Sequence, residues 1–232
     1  MSFKLLVILV LAIYMTSLAL TREQSYCKGG PFEIPRKLID RYLKKLYRIS
    51  DDYNWHPTIK KLSKVVKKDS ALRYNWNYGI SQAENLKQYT SKEVFDILNA
   101  ILNVGPSYNS GGLVGFPINV VFVDLMQQQN GRTLFSNDKF NNALKGVLNA
   151  YGAMLVTNTS LTFMNNGTGG WFSPKAQKKI NYTQYQCDPS QPHYGFPNWN
   201  EWFLRKFKPG VRPLGANTPP NVDPFNVIIN AC

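Results

Sequence analysis

Histidine and cysteine are scarce in this 232-residue chain, and their scarcity removes whole classes of chemistry. The two histidines, His56 and His193, stand at no helical spacing from another histidine, a cysteine or an acid in a metal-binding motif. No HExxH, no paired CxxC and no GxSxG nucleophile elbow occurs. Acidic residues are also few: 14 Asp and Glu face 27 Lys and Arg, a formal net charge of +13. That surplus reads either as a solvated basic surface or as attraction to an anionic partner such as lipid headgroups, glycans or nucleic acid. Long apolar runs are missing after residue 20, so no second membrane span is expected. No internal repeat or low-complexity tract appears. With 44% hydrophobic and 13% aromatic residues, the chain is globular in class, and its length suits one sizeable domain or two small ones.

The one apolar run opens the chain. Lys4 supplies a positive start, Leu5 to Leu20 is almost wholly apolar, and Ser17-Leu18-Ala19 places small residues at a cleavage site. Residues 1–19 therefore read as a secretory signal peptide, with an uncleaved anchor as the alternative. Export to a secreted or endomembrane-lumen location agrees with sequons at Asn158, Asn166 and Asn181. It agrees too with cysteines that all follow the leader. In an oxidising compartment Cys27, Cys187 and Cys232 leave one disulfide and one odd thiol. Cys187–Cys232 is the preferred pair, because both flank one aromatic-basic segment.

The pattern is mostly helical. From Pro35, Leu38, Tyr42, Leu46 and Ile49 form an apolar stripe among basic residues. Pro57 to about Val66 repeats the theme, with Ile59, Leu62, Val65 and Val66 beside five lysines. Asp69-Ser70 reads as a break before a short helix containing Leu72. Ser91 to Val104 has clear start chemistry in Thr90 or Ser91 and Glu93, and Gly105-Pro106 ends it. The glycine-rich stretch 111–117 lacks the lysine and hydroxyl of a P-loop and reads as a turn. Pro117 to Gln128 is expected to be the buried central helix, with Asp124 satisfied by an arginine or a helix end. Ser136 or Asn137 caps a helix from Asp138 to about Val156, and Ser173 to Ile180 forms another.

The most informative segment is residues 194–213, which crowds rings and cations together and closes with a Pro-Gly turn and an Arg-Pro step. Trp199, Trp202, Phe203 and Phe207, at spacings of three and four, read as the core face of a helix. Base stacking beside Arg205 and Lys206 is the other use of such a cluster, but no nucleic-acid partner is expected of a secreted glycoprotein.

Tyr194, Gly195, Phe196, Trp199, Glu201, Phe203, Arg205, Pro209, Gly210, Arg212 and Pro213 resemble a segment of the phosphatidylserine decarboxylases. The closer likeness is to their tryptophan-decarboxylase-like branch, in which that segment leads into the catalytic module. Weaker likenesses keep the same order upstream: Ile59 through Leu72, Phe95 to Pro106, Gly115 to Pro117, Leu125-Met126, Leu148 to Leu155, Gly170 to Phe172 and Cys187-Asp188. The resemblance spans about residues 35–232.

It implies a mainly α, single helical-bundle-like domain over residues 35–213, after an extension at 20–34. Residues 214–232 would then lead toward the catalytic module. The family cleaves itself at a serine, which becomes a pyruvoyl group that acts as an electron sink for loss of CO₂. Its Asp-His-Ser processing set follows a segment resembling Val227 to Cys232, and this sequence supplies none of the three. Leu214-Gly215-Ala216 resembles a Leu-Gly-Ser processing site only superficially, since Ala216 has no hydroxyl. No catalytic, cofactor or metal residue carries over, and no cofactor is expected in this chain. Two readings remain: a decarboxylase-related protein inactive alone that serves a separate catalytic module, or a basic binding protein for anionic lipid or another acidic partner.

Overall fold

A computed structural model describes residues 36–50, 54–108, 117–209 and 211. The leader, Pro35, Cys27, Cys232, most of the glycine-rich stretch, Gly210, Arg212, Pro213 and residues 214–232 lie outside the described residues.

The described chain is mainly helical, as expected. Helix α1, Arg36–Arg48, buries Ile39, Leu43 and Leu46. Two stripes overlap along it, and the wholly aliphatic one is buried, while Tyr42 and Ile49 pack at the core margin. Helix α2, Pro57–Lys68, starts at a proline, with the His56 ring accepting the Thr58 N–H, and continues past the expected stop at Val66. Asp69 separates it from α3, Ser70–Gln82, and caps α3 by accepting from the Ala71 and Leu72 amides. The break was legible, but α3 is a full helix rather than a short one, secured by the fully buried Trp76.

Helix α4, Ser91–Ile101, carries the complete capping box. Glu93 N–H donates to Thr90 Oγ1, and Glu93 Oε2 accepts from the Thr90 amide at 2.6 Å. Every residue from Val94 to Ile101 is buried, so α4 is at least as central as α5, Pro117–Gln127. Helix α6, Gln129–Phe135, has no counterpart in the sequence expectations. Helix α7, Asp138–Leu155, is capped by Asn137 and packs on α2, while α6 packs on α3 and α5.

The core is aromatic at its centre. Trp76 stacks on Phe95 at 4.8 Å, and Phe122, Phe135 and Phe140 meet edge-on around it. The Asp124 carboxylate, buried as expected, accepts the Asn85 backbone N–H at 2.9 Å. Asn85 in turn donates its side-chain amide to the Val120 and Val121 carbonyls, tying the α3–α4 connection to α5. Among the described residues no helix is long and apolar enough to cross a membrane.

Candidate functional site

After α7 the chain abandons long helices. A 3₁₀ segment, Asn158–Phe163, is followed by α8, Pro174–Gln177, then short 3₁₀ turns, and finally α9, Trp199–Phe203. The helix expected from Ser173 to Ile180 is therefore a single turn, capped by Ser173. These pieces gather the motif residues around two anchors.

The first anchor is a tryptophan cluster. Trp171 and Trp202 approach to 4.1 Å between ring centroids, and Trp199 packs against both. Asn198 caps α9 by accepting the Glu201 N–H. The Trp199 amide donates to Ser160 Oγ at 2.9 Å, and that fully buried hydroxyl donates onward to the Thr157 carbonyl. Tyr182 links the rings: its hydroxyl donates to the Trp171 carbonyl at 2.8 Å and accepts from Trp202 Nε1 at 3.1 Å. Burial holds its phenol well above the ordinary value, so the hydroxyl keeps its proton for the carbonyl.

The second anchor is Arg205. Its guanidinium lies 4.4 Å from the Tyr185 ring centroid and 4.6 Å from that of Trp202, while Nη1 donates to the Trp202 carbonyl. Its Nε–H is enclosed without a hydrogen-bond acceptor, so the rings hold this cation. Beside it, Tyr185 and Phe207 form an isolated antiparallel bridge with stacked rings. Gln186 N–H donates to the Lys206 carbonyl and Lys208 N–H to the Gln184 carbonyl, both at 2.8 Å. The Val211 amide reaches back to the Lys208 carbonyl, beside the exposed Pro209.

Residues 193–195 make a sharp corner. His193, Tyr194 and Gly195 have φ of 53°, 57° and 79°, which is ordinary only for the glycine. Two contacts hold the strained pair. His193 Nδ1 lies 2.6 Å from the Met164 carbonyl, which can only accept, and Tyr194 stacks on Phe172 at 3.9 Å. Phe196 is buried behind the corner.

Of the sequence-selected residues, Trp199 and Arg205 are brought into the anchors, Tyr194 and Phe196 hold the corner, and Glu201 is exposed. The aromatic run was expected to be one helical core face. Instead Phe203 is partly exposed and stacked on Trp199, and Phe207 lies beyond the helix in the bridge. Of the partners that define the site, Trp171 and Phe172 lay in one of the weaker family likenesses and Ser160 and Tyr182 in sequons, none of which pointed to these contacts, while Tyr185 carried no motif. Asn158, Asn166 and Asn181 are all exposed. Cys187 is a free thiol among the described residues, and burial raises its pKa.

Both histidines are spent on backbone contacts, and no metal-ligating cluster occurs among the described residues. What this arrangement can do is hold and aim a chain segment.

Comparison with known proteins places a family signal on the helical body. The phosphatidylserine decarboxylase family matches residues 56–180, more than half of the chain, and stops short of Tyr194. Decarboxylase iboD of Amanita muscaria (strain Koide BX008) is 32% identical over 126 residues, covering 51% of this chain and 35% of the relative. L-tryptophan decarboxylase of Psilocybe cyanescens is 26% identical over 123 residues, 47% of this chain and 27% of its own length. The L-tryptophan decarboxylase of Psilocybe cubensis is 24% identical over 130 residues, 50% of this chain and 29% of its own. The matched part thus spans about a third of these relatives or less.

Proposed function

The chain belongs to the phosphatidylserine decarboxylase family, and from that premise we propose that it supplies the helical, non-catalytic part of a decarboxylase. In this reading it is linked to phospholipid or amino-acid decarboxylation without performing it alone. Its described body ends in the two anchors, which hold residues 182–208 on the helices. The Asp-His-Ser set that makes the pyruvoyl group would belong to the family's catalytic module, and the pyruvoyl would supply the electron sink there.

The observation that carries this reading is the clamp on Arg205, with the 185–207 bridge beside it. A cation held by two rings and a carbonyl, with no ion pair to an acid among the described residues, is built to secure a segment rather than to move protons. The histidines agree, since one caps α2 and the other faces the Met164 carbonyl.

The test is an assay of the purified full chain with phosphatidylserine and with L-tryptophan. No CO₂ release is expected, and intact-mass spectrometry should find no pyruvoyl-terminated fragment. Release of CO₂ together with a self-cleaved chain would overturn the proposal.

A further inference from the structure

The outward face of α2 is a field of lysines without acids. Lys60, Lys61, Lys64, Lys67 and Lys68 are all exposed, and the helix contains no carboxylate. Its opposite face, Ile59, Leu62 and Val66, is buried against the body, so the helix cannot roll to hide its charge. Two acids near it among the described residues are engaged elsewhere. Asp69, after the last turn, holds Lys139 at 3.2 Å, and Asp96 holds Lys92 at 2.8 Å while accepting the Trp55 indole N–H. Lys60, Lys64, Lys67 and Lys68 line one shallow, open depression together with Ser63 and Trp55.

We propose that this face of α2 docks the protein on an anionic membrane surface. Three features favour that occupant. The cations are spread along a helix about 18 Å long instead of converging on one point, which suits a mobile array of headgroups that can migrate to each charge. They are all lysines, point charges without the planar fork that arginine offers to a fixed phosphate or a base edge. The one ring beside them, Trp55, is tied down by its bond to Asp96, its packing on Phe95 and Lys67 above it, so it offers no platform for stacking bases. The docking is non-covalent and needs no decarboxylase role, so it stands or falls separately from the proposed function.

The experiment is vesicle co-sedimentation of the full chain at low and high salt. Vesicles of phosphatidylcholine alone are compared with vesicles that also contain phosphatidylglycerol or, separately, phosphatidylserine. Two variants of equal charge change are compared, K60E/K64E/K67E on α2 and K175E/K178E/K179E on and just after α8, each checked for native circular dichroism. Expected are binding to both anionic vesicles but not to neutral ones, loss of binding at high salt, and an affinity at least about 100-fold weaker in the α2 variant only. Four results would overturn the proposal: no binding by the wild type, binding to neutral vesicles, equal weakening by both variants, or binding to phosphatidylserine alone. So would tighter binding to a short DNA duplex than to either anionic vesicle. If the Glu variant unfolds, K60Q/K64Q/K67Q asks the same question, and undiminished binding there has the same negative meaning.

Discussion

Ser160 occupies a place that no other residue type fills as well. Its hydroxyl accepts from the first amide of α9 out of water and donates to the turn after α7. Alanine there strands the Trp199 N–H, so Ser160→Ala should cost about 1–3 kcal/mol. Arg205→Ala removes two cation–ring contacts and should cost about 1–2 kcal/mol, with Arg205→Lys intermediate because it keeps the charge but not the planar stack. Thermal melts with near-ultraviolet circular dichroism would read both, since the tryptophan signal sits at the affected rings. An unchanged melt in Arg205→Ala would count against the clamp. Glu93 provides a pH signature. The Thr90 amide first, then the Tyr47 hydroxyl, hold its carboxyl below the usual range. A depressed carboxylate stabilises the fold above its unfolded pKa of about 4.3 and loses that contribution as pH falls through the folded value. The stability gap between wild type and Glu93→Gln should therefore be open at pH 6 and close toward pH 3. A gap constant with pH would contradict this assignment. At this scale the sequence is a good guide to caps, because Thr90, Asn137 and Ser173 each act on an amide two or three residues away. It gives no sign of Ser160, whose partner is Trp199 on a distant element.

Helices with a strong stripe and a capped start are legible, and α2, α4, α5 and α7 lie close to where the sequence puts them. Helix α6 is not, because Gln129–Phe135 has little apolar periodicity and carries an asparagine and a glycine. It exists because Leu134 is buried and because Gly131 lets its backbone meet the end of α5. A Cβ at Gly131 would overlap the Leu125 carbonyl oxygen, which is backbone and cannot swing aside. Gly146, on α7, is the opposite case, for a Cβ there meets the Thr58 side chain at an ordinary 3.7 Å. Gly131→Ala should therefore destabilise by about 2 kcal/mol or more, while Gly146→Ala should stabilise by about 0.5–1 kcal/mol. Denaturant melts of the two variants check both signs, and a stabilised Gly131→Ala would refute the close approach. The last elements are the hardest to read from sequence. A five-residue α9 and an isolated bridge have too few residues for any period to show, and rings from residues 171 to 185 hold them in place.

At the scale of the whole molecule two regions are joined without a break. Residues 56–180 carry the family signal and most of the helical core. Residues 181–209 fold back onto that body through the tryptophan cluster and Arg205. The aromatic-basic run that was most conspicuous in the sequence is thus an attachment, with Trp199 and Trp202 buried in the body and Arg205 held between the Trp202 and Tyr185 rings. The charge surplus is a separate matter, carried by α1 and, without any acid, by α2. The account turns on whether the run is clamped, and hydrogen exchange resolved to single amides tests that most directly. Bonded across the chain, the Gln186 and Lys208 amides should exchange slowly in the wild type, at rates near those of α7, and Arg205→Ala should release them while α7 stays protected. Exchange of Gln186 and Lys208 at loop rates in the wild type would contradict it.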